Sequence, residues 1–464
     1  MTTQSSALHQ APRASVPNGA VEALRKDFGG PVDAPGDPGY EQARRVWNGM
    51  IDRRPALIAH CSGVADVVAA VRFGRSEGLP VAIRGGAHSA AGHGTCDGGI
   101  VIDLSRMKGV RVDPRSQAAY AQAGLLWAEF DRETQAYGLA VTGGTVSNTG
   151  ISGLTLGGGL GWLMGKYGLS CDNLISADVV TASGEIVTAS EKEHKDLFWA
   201  LRGGGGNFGV VTTFQFRLHP VTDVIGGMLL YPISEAPKVL RFYREMTQGH
   251  LDDMELYCGL MSAPDGTPVV AVLVGYNGPV AKGEQALADI RKFGPPIADM
   301  VAPMSYGARQ HMLDAFSTPG IRRYWKSGFV NKLPDDLLDI LVERTRPMIS
   351  PLSAVVLFSV HGAASRVGPQ DTAFGLRGHL WDADIISQWI DPADDARQVA
   401  WTRDFWKAIE PYAGKSIYVN HISGDEPDRV KSAFGPNFAR LQQVKKTYDP
   451  GNMFRINHNI PPAP

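Results

Sequence analysis

The early part of the chain alternates between short apolar runs and one amphipathic segment. Apolar residues three and four apart from Val64 onward predict a helix that ends at Gly78. Apolar runs at residues 55–61, 79–86 and 99–105 predict buried strands around that helix. A strand, a helix and a further strand in this order indicate a βαβ unit.

The pattern of apolar and polar residues predicts further helices and strands. Residues 177–190 predict a hairpin that turns at Ser183 and Gly184. Residues 210–216 alternate between apolar and polar positions, which indicates a strand, and a short helix is expected just before them at 196–202. An earlier helix is expected at 40–47.

The composition of the chain changes after about Pro220. Glycine clusters become rare there, a helix is predicted from Asp335, and an alternating strand is predicted within 352–365. These features predict an α+β protein with four segments. The segments are a disordered N-terminal stretch (1–39), a first domain (40–220), a second domain with an antiparallel sheet covered by helices (221–415), and a C-terminal segment that returns to the first domain (416–464).

Composition and charge narrow the class of protein. The 464 residues are 44% hydrophobic and 20% charged, with a net charge of −2, so the chain is expected to be globular. Without a basic excess or an apolar membrane-length segment, no nucleic acid or membrane partner is expected. Four scattered cysteines without a CxxC pair, and an N-terminus without an export signal, predict a reduced, cytoplasmic protein and no metal site.

Glycine is concentrated in three loops, near residues 84–99, 143–168 and 202–209. The third loop contains the pattern GxGxxG, but a helix is predicted before it and a strand after it, which is the reverse of a dinucleotide-binding fingerprint. Bare backbone amides form concave sites for anions, pyrophosphate especially. Three such loops therefore favour a large phosphate-containing cofactor held along its length, although tight turns alone would also explain any one of them.

Four longer stretches carry a family resemblance, namely "IRGGAHSAAGH", "LTLGGGLGWLMGKYGLSCDNLISADVVTASG", "DLFWALRGGGGNFGVVT" and "YDPGNMFRINHNIPP". Together they resemble the berberine-bridge-enzyme-like branch of the vanillyl-alcohol-oxidase flavoproteins, and in detail its bacterial natural-product and 6-hydroxynicotine oxidases. The resemblance covers nearly the whole chain from about Trp47. It implies an FAD-binding domain in two parts, of the PCMH type, and a separate substrate domain.

The resemblance also implies how FAD is attached. The histidine of the family's RGGxHS loop, which bonds to the flavin 8α carbon, corresponds to His88 in this chain. His93 is the alternative in the same loop, and from the residues alone either histidine is more readily explained as a structural loop residue. The second loop has Gly143 and Gly144 where some relatives carry a cysteine, so a single covalent link is expected.

Further cofactor contacts carry over from the matching loops as implications of the resemblance. The asparagines among them are equally well explained as turn residues. The residues expected to hold FAD are Arg84, Gly85, Gly86, Ala87, His88 and Ser89 in the first loop, Thr145, Ser147, Thr149, Gly150, Gly153 and Gly158 in the second, Gly209 and Val211 in the third, and Asn420, Asn457 and Asn459 near the ring.

Catalytic candidates lie in "YVNHIS" at residues 418–423. If this segment is a strand, Tyr418 and Asn420 share one face while His421 lies on the other. His421 occupies the place of the base that plant relatives supply from a tyrosine, and a neutral imidazole there would accept a substrate proton. Tyr418 is the alternative base. A surface position explains His421 equally well. His361 is a candidate substrate contact or second base, although a solvated strand residue is the more common explanation.

The predicted function is that of an FAD-dependent oxidoreductase in secondary metabolism. A C–H bond next to oxygen or nitrogen of a small aromatic or polyketide-like substrate gives hydride to the flavin, and O2 reoxidises the flavin to yield H2O2. A sugar or alcohol oxidase of the same branch is the first alternative, and a non-catalytic flavin-holding protein is the second. The sequence does not define the oligomeric state.

Overall fold

In the computed structural model, residues 16–249, 252–346, 348–378 and 380–464 are described. Four β-sheets and the helices around them form two structural units, which confirms the predicted α+β class. The first unit contains a four-stranded, a five-stranded and a two-stranded sheet, and the second contains one large sheet.

The four-stranded sheet contains the predicted βαβ unit. Its strands are β1 Val32–Asp33, β2 Leu57–His60, β3 Val81–Arg84 and β4 Ile100–Asp103. The order is β1-β2-β4-β3, and β4 pairs in parallel with both β2 and β3, so the chain crosses over through a helix at Val64–Ser76. The apolar positions of this helix pack against the sheet, and the helix ends two residues before Gly78, which has a φ of +63°.

The five-stranded sheet is antiparallel and includes the predicted hairpin. Its strands are β5 Val110–Asp113, β6 Ala118–Gln122, β8 Leu174–Val180, β9 Ile186–Ser190 and β10 Val210–Arg217, in the order β5-β6-β10-β8-β9. The two short strands β7 Leu139–Ala140 and β11 His219–Pro220 form a separate pair. Gly184, at the predicted hairpin turn, has a φ of +79°, a conformation that favours glycine.

Helices from the beginning of the described chain to Tyr448 surround these sheets. They are α1 Asn18–Lys26, α2 Tyr40–Ala43, α3 Val64–Ser76, α4 Trp127–Gln135, α5 Ile151–Leu156, α6 Met164–Tyr167, α7 Lys195–Leu201, α14 Pro427–Phe434 and α15 Phe438–Tyr448.

The second unit is an antiparallel sheet of eight strands. They are β12 Asp223–Pro232, β13 Met254–Ser262, β14 Pro268–Tyr276, β15 Ala298–Asp299, β16 Ala302–Ser305, β17 Arg322–Val330, β18 Ala354–Val360 and β19 Leu380–Trp389. The order is β15-β12-β14-β13-β18-β19-β17, and β16 also pairs with β12. The accompanying helices are α8 Ala236–Thr247, α9 Gly283–Arg291, α10 Tyr306–Gln310, α11 Asp335–Thr345, α12 Gly362–Arg366 and α13 Asp395–Ile409.

Strand alternation gives the large sheet two different faces. Cys258 and Leu357 point into a core shared with α8, α11 and α13, so helices cover that face. Their neighbours Tyr257 and Phe358 point the other way and pack toward a segment of the first unit that contains Trp162. The second face of the sheet therefore lies over the first unit.

The N-terminal prediction is partly wrong. Within 16–39, which was expected to be disordered, α1 places Val21 and Leu24 in the first core, and β1 pairs with β2. The two apolar side chains are three residues apart, which is one helical face, and this gives the segment a reason to fold. Residues 1–15 lie outside the described residues.

The other end of the chain packs on the first unit. Phe434, Leu441, Phe454 and Ile460 belong to the same core as the first two sheets. The domain bounds at 220 and 416 stay predictions. All four cysteines are buried. In the part of the chain that the structure describes, no helix has the length and apolar character needed to cross a membrane.

Candidate functional site

The three glycine-rich loops meet around one cavity. Trp325 and Phe358 of the large sheet close it from the second unit. The segments that contribute to the lining are 81–94, 144–160, 205–211, 418–421 and 454–458. The residues predicted to hold the cofactor that line this cavity are Arg84, Gly85, Gly86, Ala87, His88, Ser89, Thr145, Thr149, Gly150, Gly153, Gly209, Val211, Asn420 and Asn457.

The first and second loops touch through their backbones at Gly86 and Gly150. A Cβ on Gly150 would lie 2.4 Å from the Gly86 nitrogen, and a Cβ on Gly86 would lie 2.5 Å from the Gly150 Cα. Real side chains do not approach this closely, so both positions require glycine. The contact holds two strips of bare backbone amides side by side, which is a suitable surface for a pyrophosphate group.

Buried polar atoms along the cavity provide a test of whether a large polar cofactor fits. Arg84 Nη2, His93 Nε2, Trp325 Nε1 and Asn457 Oδ1 are buried and have no hydrogen-bond partner among the described residues. Since unpaired buried polar groups are costly, a bound group that supplies partners would stabilise this arrangement. Arg84 Nη1 lies 3.7 Å from Asp103 Oδ2, and its Nη2 is a donor suited to a phosphate oxygen. The lining therefore fits FAD.

His88 is held by groups from both units. Its Nε2 lies 3.0 Å from Asn148 Oδ1 and 3.2 Å from Ser317 Oγ. Its ring stacks on Trp47 with 4.1 Å between ring centroids and 22° between planes. Ala87, the residue before it, has a φ of +56°, which is unusual for a residue with a side chain. The position of this imidazole is thus fixed by several contacts.

The hydrogen bonds of Asn148 determine which nitrogen of His88 carries the proton. Asn148 Nδ2 donates to the Ser317 carbonyl oxygen at 3.1 Å, so Oδ1 is the atom that faces His88 and must accept. His88 Nε2 therefore donates, and Nδ1 keeps its lone pair. Burial, with a further contribution from the charge of Arg323, lowers the pKa of His88 to about 4, so the imidazole is neutral near pH 7.

His93, the other histidine of the first loop, also lines the cavity. It forms an edge contact with His458, with 4.6 Å between ring centroids. Burial holds the pKa of His93 well below its usual value and lowers that of His458 to about 4. Both rings are therefore neutral near pH 7.

The "YVNHIS" segment is not a strand. Val419–His421 form a single 3₁₀ turn, and Tyr418 before it and Ile422 after it are extended. A turn places successive side chains about 120° apart instead of 180°. Tyr418, Asn420 and His421 therefore all line the cavity, and the conflict that strand alternation predicted between Asn420 and His421 disappears.

Tyr418 is fully enclosed, and its hydroxyl oxygen accepts two hydrogen bonds. Gly159 N–H donates to it at 2.9 Å and Asn420 Nδ2 at 2.8 Å. Burial raises the pKa of Tyr418 despite these donors, so the phenol keeps its proton. With both neighbours acting as donors, the hydroxyl proton is available to a ligand in the cavity.

His421 lies between two buried carboxylates of β19. Its Nδ1 is 3.0 Å from Asp382 Oδ2 and 3.1 Å from Asp384 Oδ1. Burial disfavours the charged imidazolium, but the two carboxylates outweigh burial and raise the pKa of His421 to about 10. Burial and the charge of Asp382 raise the pKa of Asp384 to about 6. Near pH 7 the imidazole of His421 is therefore positively charged next to these two carboxyl groups.

Four predicted site residues do not line the cavity. His361 is buried with Nδ1 3.4 Å from the Ser359 oxygen and 4.0 Å from Glu255. The hydroxyl of Ser147 donates to Asp314 at 2.6 Å. The others are Gly158, whose Cβ position faces the rings of Phe374 and Tyr418, and Asn459.

The sequence did not identify several residues that shape the site. Trp47, Asn148 and Ser317 hold His88 from three separate segments, and no local pattern relates them. Asp382 and Asp384 could have been identified from the sequence, because they are two acidic residues on one face of the otherwise apolar strand "LWDADII". A buried acidic pair in such a strand is rare unless it has a partner.

Comparisons with known proteins agree with this geometry. A family model described as an FAD binding domain matches residues 55–190, and one described as berberine and berberine like matches residues 417–461. An FAD-linked oxidoreductase of Dictyostelium discoideum is 33% identical over 95% of this chain and 97% of its own length.

Two solved oxidase structures have a similar fold. The crystal structure of 6-hydroxy-D-nicotine oxidase from Arthrobacter nicotinovorans matches with a TM-score of 0.85 and 28% identity, covering 94% of this chain and 98% of that one. A chitooligosaccharide oxidase matches with a TM-score of 0.84 and 25% identity, covering 96% of this chain and all of that one.

Proposed function

The chain belongs to the berberine-bridge-enzyme-like FAD-linked oxidoreductases, and from this premise we propose that it is an oxidase whose FAD is bonded to His88. Its substrate is a small aromatic or polyketide-like compound that gives hydride from a C–H bond next to oxygen or nitrogen. O2 then takes up the electrons and is reduced to H2O2. One observation carries the proposal: a neutral, oriented His88 lines the same cavity as two hydrogen-bond donors, Tyr418 and His421.

Different residues of the chain are suited to different parts of FAD. The backbone amides around Gly86 and Gly150, with Arg84, suit the pyrophosphate, and Val211 in the third loop suits the adenine side. Asn420 and Asn457 suit the edge of the ring system. When bound, FAD supplies an acceptor for two electrons at once.

The tether requires a nucleophilic nitrogen at a fixed position. His88 Nδ1 has a free lone pair because Nε2 donates to Asn148. This nitrogen would bond to the 8α carbon of a bound flavin in place of one C–H bond. The two protons lost, one from that carbon and one from Nε2 of the imidazole, and two electrons would be taken up by O2 as H2O2.

Two donors act on the substrate. The hydroxyl proton of Tyr418 and the charged imidazole of His421, whose ring centroids are 4.8 Å apart, bind one oxygen of the substrate and lower the pKa of its hydroxyl group. The hydroxyl proton then leaves to water as hydride leaves the adjacent carbon.

This differs from the role that the sequence suggested for His421. A general base needs a neutral imidazole, whereas the two carboxylates keep this one charged near pH 7. The electrostatics therefore favour His421 as a donor that stabilises negative charge on the substrate. Tyr418 is favoured as a donor for the same reason, since burial keeps it protonated.

The part of the cavity contributed by the second unit favours an aromatic substrate over a sugar. Trp325 and Phe358 line it, and flat apolar rings stack favourably on such side chains. A sugar or alcohol oxidase is the second candidate, because the fold also matches a chitooligosaccharide oxidase. The predicted cytoplasmic location and the absence of nucleic acid or membrane partners stay predictions.

Two measurements on the purified protein test the proposal. After acid precipitation, flavin absorbance is expected in the protein pellet of the wild type and in the supernatant for His88→Ala. His93→Ala is the matched control, because His93 lines the same cavity and is also neutral; its flavin is expected to stay in the pellet. Flavin released completely from the wild type would contradict the tether.

The substrate class is tested separately under anaerobic conditions. 4-Hydroxybenzyl alcohol is expected to bleach the flavin band faster than cellobiose, and admitting O2 is expected to restore the band with release of H2O2. Faster bleaching by cellobiose would favour the sugar oxidase. A band that no donor bleaches would contradict catalysis and favour a flavin-holding protein.

A further inference from the structure

A buried arginine lies next to the histidine proposed to carry the flavin. The guanidinium carbon of Arg323 lies 3.7 Å from the centroid of the Trp47 ring, and His88 stacks on that ring at 4.1 Å. Both groups lie over the indole at contact distance, so they occupy opposite faces of it. Arg323, Trp47 and His88 therefore form a column, which we call the tether column.

The charge of Arg323 is not neutralised by its hydrogen-bond partners. Its nitrogens donate to Gln388 Oε1 at 2.7 Å and to the main-chain oxygens of Thr318 at 2.6 Å, Ile321 at 2.9 Å and Trp47 at 3.3 Å, all of which are uncharged. The side chain is only 1% exposed. A charge enclosed in this way acts over longer distances than a solvated one.

The contacts of the column also connect the two units. Trp47 Nε1 donates to the Ser317 oxygen at 2.9 Å, and Asn48 Nδ2 donates to the Arg323 oxygen at 3.0 Å. Ser317, in turn, contacts His88 Nε2 through its hydroxyl. The ring of His88 is thus positioned by residues of the large sheet and of the loop before it, as well as by its own loop.

We infer that Arg323 is a positioning residue for flavin attachment: its guanidinium covers one face of Trp47, and the other face of Trp47 holds the His88 ring in the orientation needed for bonding to the 8α carbon. This rests on the proposed function, in which His88 is the tether. A positive charge close to the imidazole disfavours a second positive charge on it, which agrees with the lowered pKa of His88. The stack prevents the ring from rotating, so Nδ1 keeps one direction.

The test compares how quickly covalent flavin forms. Each protein is purified, kept with excess FAD in air, and sampled over time, and the flavin in the acid pellet is measured. Arg323→Gln is expected to hold FAD but to form the covalent bond about tenfold more slowly, because the amide does not cover the Trp47 ring and His88 is then held less firmly in the reacting orientation. Arg323→Lys keeps the charge but not the flat guanidinium, and is expected to recover only part of the rate.

Arg322→Gln is the matched control. Arg322 precedes Arg323 in β17, pairs with Asp395, and also contacts the segment after Trp47 through the Gly49 oxygen at 3.1 Å, but it is outside the column. Its rate of covalent flavin formation is expected to equal that of the wild type. Equal rates for Arg323→Gln and the wild type would overturn the inference.

A second pair of variants covers the case in which Arg323→Gln does not fold, as judged by its melting temperature. Trp47→Phe keeps an aromatic ring between the two groups and is expected to attach flavin at nearly the normal rate, whereas Trp47→Leu is expected to be slow. Normal attachment in Trp47→Leu would overturn the inference. Failure of the tether itself is distinguishable, because the wild type would then show no covalent flavin.

Discussion

The imidazole Nδ1 of His421 lies 3.0 Å from Oδ2 of Asp382, a side chain that is fully buried. Asp384 contacts the same nitrogen from the same strand. The structure thus makes His421 a cation near neutral pH, and the chemistry proposed for the cavity depends on that charge.

We expect this charge to set the alkaline limit of the reaction. Carboxylates that raise the pKa of His421 to about 10 keep it protonated below that pH, so the rate of flavin reduction should fall as pH rises through about 10. Asp382→Asn removes one negative charge, which lowers the pKa of His421 and should move this limit down by about one unit or more. Stopped-flow reduction across pH 6–11 measures both profiles. A rate that instead rises with pH near 6–7, and loses that rise in His421→Gln, would identify a general base.

Replacing Tyr418 with phenylalanine removes a donor and an acceptor together. Gly159 N–H and Asn420 Nδ2 would lose their shared acceptor, at a cost of about 1–3 kcal/mol in the free energy of unfolding. Flavin reduction should slow by about a hundredfold, as for the loss of one donor to a developing oxyanion. Chemical denaturation and stopped-flow reduction separate the two effects. Unchanged reduction in the folded variant would exclude Tyr418 from the reaction.

Alanine at Gly150 should weaken FAD binding. Its Cβ would lie 2.4 Å from the Gly86 nitrogen, so the first and second loops would separate, at a cost of about 1–3 kcal/mol. The ratio of flavin to protein after purification measures the loss. Gly307→Ala is the control, because nothing lies within 4 Å of its Cβ position, and it should retain normal flavin content.

Asn148 is expected to control the tautomer of His88. Asn148→Leu removes the nearer acceptor for Nε2–H and leaves only the Ser317 hydroxyl at 3.2 Å, so Nδ1 is less strongly preferred as the free nitrogen, and less flavin should remain in the acid pellet. Asn148→Asp keeps an acceptor and should retain more covalent flavin than the leucine variant. Equal covalent flavin in both variants and the wild type would contradict this role.

A buried ion pair holds the third loop and the C-terminal tail together. Lys445 Nζ lies 2.6 Å from Asp449 and donates to the oxygens of Asn207 and Phe454 at 2.7 and 2.9 Å. Lys445→Met leaves Asp449 buried without its partner and should lower the free energy of unfolding by about 3–5 kcal/mol. Lys446→Met, at the exposed neighbouring position, should change it by less than about 0.5 kcal/mol in the same urea titration.

Local patterns in the sequence were enough to predict the βαβ unit, the hairpin near Gly184 and the three glycine loops. Helix periodicity, strand alternation and the demand for glycine at left-handed positions depend on neighbouring residues alone. The pattern failed at residues 418–423, where alternation suggested a strand. There the packing of Tyr418 against Gly159 and Asn420 accompanies a 3₁₀ turn, and such contacts across the chain are not encoded in the local pattern.

By itself, then, the sequence determined the fold class, the family and the histidine proposed to hold the flavin. Only the tertiary structure decided the charge of His421 and the surroundings of His88. Asp382 lies 39 residues before His421, and Arg323 lies 235 residues after His88, yet both act on those rings. The pKa of a buried group depends on which charges folding brings near it and on how much water folding removes, and neither follows from order along the chain.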